Sequence, residues 1–128
     1  MPSIEVHRDS WDATLNAFTR VHDGWLVSVE LVSDAGTRTA IHHLPLAGVS
    51  VDRLHGETAI VISAARSASD HVTHVIAAAR RVFLRKTDDG ADAALEIESG
   101  DGATTVLTLR VAALPETVDG VATITTGG

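Results

Sequence analysis

The chain has 128 residues, 45% of them hydrophobic and 21% charged, with ten Gly and three Pro, a balance that excludes disordered and collagen-like chains and fits one folded domain over residues 1–128. It contains no Cys, which excludes disulfide frameworks, thiol catalysis and cysteine-ligated zinc. Ten Lys and Arg against seventeen Asp and Glu give a net charge of −7, which argues against nucleic-acid phosphate or anionic lipid as the main partner.

The N-terminus, Met1-Pro2-Ser3-Ile4-Glu5-Val6-His7, has no basic stretch followed by an apolar core. No apolar run approaches the roughly 20 residues of a membrane-spanning helix, so a cytoplasmic protein without membrane contact is expected. The first element reads as a helix over about residues 10–22. Trp11, Leu15, Phe18 and His22 fall on one stripe of a 3.6-residue period. Asp9 or Ser10 is the expected N-cap, and Gly24 the left-handed stop.

From Trp25 the period switches to two. Trp25, Val27, Val29 and Leu31 form the expected core face, and Leu26, Ser28, Glu30 and Val32 the other. Asp34-Ala35-Gly36 signals a turn, residues 37–44 return as a hairpin partner, and Pro45 is expected to end that strand. Residues 49–54 read as a short strand and 58–63 as a central one. The small polar stretch 65–70 reads as a loop, and 71–76 alternates with Val72, His74 and Ile76 on one face. A tight connection at 77–79 leads into 81–86, and residues 95–98 pair with 103–111 across a Gly-rich turn. The β-rich region thus spans 25–111, and 112–128 reads as a tail or an added edge strand. These elements predict an α+β fold: an N-terminal helix packed on a mostly antiparallel, strongly curved sheet or small β-barrel of about seven strands.

Several segments together resemble an uncharacterised bacterial family of small single-domain proteins of unknown function. They are residues 11–18, His22-Asp23-Gly24-Trp25-Leu26-Val27, Leu44-Pro45-Leu46-Ala47-Gly48-Val49, Asp70-His71-Val72-Thr73-His74, and Ala94-Leu95-Glu96-Ile97-Glu98 followed by Gly102 and paired threonines. The resemblance implies one domain in a bacterial cytoplasm and brings no activity, cofactor or substrate.

Seven histidines are the one compositional excess. The pairs His42-His43 and His71-x-x-His74, with Asp70, Asp52 or Glu30 as a carboxylate, suggest a divalent-metal site, because neutral imidazole and carboxylate suit Zn, Fe or Mn. Strand geometry opposes it. Neighbours, and residues three apart, point to opposite faces, so one histidine of each pair faces a given site unless a bulge intervenes. There is no Gly-x-Ser-x-Gly elbow, no HExxH helix and no phosphate loop, so no catalytic residue is assigned. Arg81, Phe83 and Arg85 share one strand face that suits an interaction surface. The six acids Asp88, Asp89, Asp92, Glu96, Glu98 and Asp101 that follow without a Lys or Arg point instead to cross-strand ion pairing.

The resulting expectation is a non-catalytic binding or interaction module without cofactor, acting through a protein partner or self-association at an uncovered edge strand or at Phe83. Two alternatives stand beside it. One is a histidine-ligated metal protein with hydrolase chemistry in reach. The other is a small-ligand-binding barrel whose pocket is lined by Trp11, Phe18 and Trp25.

Overall fold

The computed structural model describes residues 3–54 and 56–110. Its elements are β1 (Ser3–Val6), a 3-10 turn (Arg8–Ser10), α1 (Trp11–His22), β2 (Leu26–Ser33), β3 (Gly36–Leu54), β4 (Glu57–Ser67), β5 (Asp70–Ile76), β6 (Ala79–Lys86), β7 (Asp92–Ser99) and β8 (Thr104–Arg110). The expected tail or edge strand over 112–128 lies outside the described residues.

Helix α1 follows its stripe: Trp11, Leu15, Phe18 and His22 are its buried residues. A three-turn helix is marginal alone and persists because such a stripe is docked. The expected cap is absent in detail, for Ser10 makes no side-chain capping bond, and its N–H is satisfied by the His7 carbonyl at 2.8 Å. The helix is moored by named polar contacts instead. Trp11 Nε1 donates to the Val6 carbonyl at 3.0 Å, and Thr19 Oγ1 accepts the Val49 N–H at 2.9 Å. Gly24, at φ 82°, reverses the chain, and its N–H donates to the Leu46 carbonyl at 2.9 Å. No backbone of the usual handedness makes that turn so tightly.

The eight strands form one antiparallel sheet in the order β1-β6-β7-β8-β2-β3-β4-β5. Two expectations need correction. One strand, β1, is missing from the expected set: it is too short for its alternation to be read and forms by pairing Ile4 with Leu84 of β6, while the expected strands 37–44 and 49–54 are a single strand, β3. And the sheet is not closed into a barrel, because its end strands β1 and β5 do not pair with each other.

The reason lies in β3. Instead of ending at Pro45, this strand runs 19 residues and changes partner: its first half pairs with β2 and its second with β4. Three register shifts fall within residues 39–48, each inserting one extra residue on β3. Bulges bend and twist a strand, and a Pro is tolerated at such an irregular corner because no ladder N–H is missed there. The bend brings β4 against β6 although they lie far apart in the sheet order. Ile60, Ile62 and Ala64 of β4 thereby join Val82, Leu95, Ile97 and Leu107 in one core cluster with the helix stripe. The inner faces meet without any pairing of the sheet's edges.

The expected loop at 65–70 shrinks to Ala68 and Ser69, since Ser67 already pairs with Asp70. The β7–β8 hairpin forms as expected, with Leu95 opposite Leu107. No helix among the described residues is long and apolar enough to cross a membrane.

Candidate functional site

Five of the seven histidines fall in three places. His42 and His43 sit on the β3 bulge opposite Ser28, and the extra residue undoes the expected alternation: their rings stack at 4.2 Å with 21° between planes. This is the exception that the strand-geometry argument allowed for a bulge. His43 adopts φ 49°, its N–H donates to Ser28 Oγ at 3.3 Å, and its carbonyl accepts from Arg66 at 3.1 Å. With Glu30, Thr39 and Thr108 the two rings line a shallow groove of about 280 Å³. A metal binds imidazole in the plane of the ring, and two rings stacked face to face direct their lone pairs along separate lines. Among the described residues, no three His, Asp or Glu side chains gather as a metal site requires.

On β5 the alternation holds. His71 lies on the outer face, exposed, with Nε2 3.2 Å from Thr73 Oγ1. His74 points inward beside Val72 and Ile76. Its Nε2 is buried with no hydrogen-bond partner. Burial, together with the Arg38 guanidinium, holds the His74 imidazole below its ordinary pKa. Asp70 is not a free ligand but pairs with Arg66 at 2.9 Å.

The third place carries no metal or catalytic motif. His22 is 3% exposed at the end of α1, with Phe18 at 4.4 Å between ring centroids and Trp25 edge-on at 4.8 Å. Nδ1 lies 2.8 Å from the Phe18 carbonyl, which can only accept, so Nδ1 carries a proton. Nε2 faces Asp92 Oδ2 at 3.6 Å, and Asp92 in turn meets Lys86 Nζ at 2.5 Å. With Nδ1 bonded to the Phe18 carbonyl and the ring enclosed between Phe18 and Trp25, His22 is a packed residue of the α1–β7 junction, with little access for a substrate. Its place four residues after Phe18 on an apolar stripe was the signal available in the sequence.

The aromatic pocket does not form from the expected side chains. Trp11 and Phe18 are core residues at 2% and 4% exposure, and His22 stands between Phe18 and Trp25. Arg81, Phe83 and Arg85 lie on β6 with their cations engaged: Arg81 meets Glu98 at 2.7 Å and Arg85 meets Glu96 at 2.9 Å across the β6–β7 pair. Arg81 also lies 5.5 Å from the centroid of the Phe83 ring.

Besides His74 Nε2, backbone along one sheet edge has no strand partner among the described residues. Among the described residues strand β5 ends the sheet and pairs only with β4, over seven residues. The opposite end, β1, has four. Edges are normally blunted by short length, Lys, Pro or a bulge. Length blunts β1, while Asp70-His71-Val72-Thr73-His74-Val75-Ile76 carries no Lys, no Pro and no extra residue. Its outer face presents His71, Thr73 and Val75, the last 45% exposed.

Searches of curated proteins and of solved structures returned no match. The model of a family of unknown function, DUF5335, matches residues 3–117, a span that contains every strand from β1 to β8, and the chain belongs to that family.

Proposed function

We propose that the protein is a non-catalytic interaction module that binds an extended polypeptide segment by adding it as a ninth strand beside β5. The observation that supports this reading is the undefended edge: seven residues whose outward N–H and C=O groups have no strand to pair with among the described residues. Strand addition satisfies those groups through main-chain hydrogen bonds and draws specificity from alternate side chains. Burial lowers the His74 pKa and so favours its neutral form, and Asp70, the one formal charge on the inner side of the edge, is already paired with Arg66. The apolar groove beside α1, lined by Ala13, Ala17, Val21 and Leu84, competes less well, since apolar contact is non-directional and leaves no backbone group unsatisfied.

The test is amide NMR of dilute protein titrated with a six-residue peptide of alternating Val and Thr. Shifts and slowed hydrogen exchange concentrated at residues 71–75 are expected. Shifts centred on α1 and Leu84, or none at all, would sink the reading.

A further inference from the structure

We infer that the strand that β5 receives is the β5 of a second copy, antiparallel, with the two-fold axis passing through Thr73. This rests on the strand-addition reading and names its partner. Two β5 strands related by a two-fold axis normal to the sheet keep inner side chains on the inner face only if the axis passes level with a residue rather than between two. Of such registers, the one centred on Thr73 is the only one that pairs all seven residues of Asp70–Ile76.

That register is self-complementary. On the outer face Thr73 meets Thr73 of the second copy, a favourable cross-strand pair, and each exposed Val75 is covered by a His71 imidazole. On the inner face Val72 opposes His74, and Asp70 opposes Ile76. No like charges face one another. Asp70 is the strand's one formal charge and Arg66 already neutralises it, so a chain of net charge −7 presents here an edge without net charge. Like-charged bodies associate most readily where their surface is locally neutral. Asp70 of the second copy also falls diagonal to His74, within reach of a buried Nε2 that has no partner in one copy. The contact is isologous and closes on itself: the outer edges of the doubled sheet are the four-residue β1 strands, too short to propagate it.

Light scattering and sedimentation of the full chain over a concentration series test this. The parent is expected to dimerise reversibly. Thr73→Lys and Thr73→Asp, each at an exposed position that leaves folding intact, should each weaken the dimer about fivefold or more, from roughly 1 kcal/mol of like-charge apposition at the axis. An equimolar mixture of the two variants should restore it. A parent that stays monomeric at several hundred micromolar while the Val/Thr peptide still shifts β5 amides overturns self-pairing and leaves strand addition standing. A monomer whose β5 amides resist exchange without any peptide overturns both, since another segment of the same chain then holds the edge. Dimers unaffected by either substitution place self-association elsewhere and also overturn the inference.

Discussion

The α1–β7 junction and the β5 edge each enclose a histidine nitrogen, and they treat it in opposite ways. At the α1–β7 junction, His22 has a carbonyl at one nitrogen, a carboxylate near the other, and a ring on each side. At the β5 end, His74 has a buried Nε2 with no partner. Burial of a polar group costs free energy that a hydrogen bond returns, so the same residue type holds the fold together at one end and weakens it at the other. A stable junction and an unfinished edge are what this contrast describes.

The largest expected effect breaks the junction. Phe18→Ala removes a 4% exposed ring that supports His22 and should cost about 3–5 kcal/mol in chemical denaturation. A loss below about 1 kcal/mol would mean that the helix end is not docked as described.

A smaller effect isolates the polar part of that junction. His22→Leu keeps most of the volume and removes both polar contacts, yet strands no charge, because Asp92 retains Lys86 and the Phe18 carbonyl keeps its helical N–H. A cost of about 1–2 kcal/mol is expected by the same measurement.

The smallest effect carries the opposite sign. His74→Leu deletes an unpartnered buried nitrogen and should leave stability unchanged or raise it by up to about 1 kcal/mol. The pH dependence sharpens this. The folded-state pKa of His74 lies below its unfolded value of about 6.5, so the unfolded chain binds the proton first. Stability that is full above pH 6.5 is therefore lost as pH falls from there toward the folded-state pKa. His74→Leu should abolish that part of the acid slope, read as a parent-minus-variant difference in denaturation midpoint between pH 7.5 and 5. A variant with the parent's slope would show that His74 is solvated in the native state.

Much of the local structure was legible before any coordinates. The helix at Trp11–His22 follows from a stripe spaced by i+3 and i+4, and the inner face of β2 from Val27 and Val29 two residues apart. The pairing of Arg81 and Arg85 with Glu98 and Glu96 was implied by a basic strand followed by an acidic one. The split of His71 and His74 onto opposite faces followed from strand geometry alone. The stacking of His42 on His43 did not, since a bulge is the point where a period of two fails and no residue in that stretch announces it.

By itself the sequence determined what lies within a few residues along the chain: the helix stripe, the alternating faces, the turn at Gly24 and the β7–β8 hairpin, all set by local sterics and periodic burial. Only the tertiary structure decided the rest. That β3 bends through three bulges and exchanges β2 for β4, that the sheet stays open, and that β5 rather than another strand becomes its long edge are outcomes of pairings between segments distant in sequence. Each such pairing is chosen by the summed burial and hydrogen bonding of the whole fold, a comparison that no window of neighbouring residues contains.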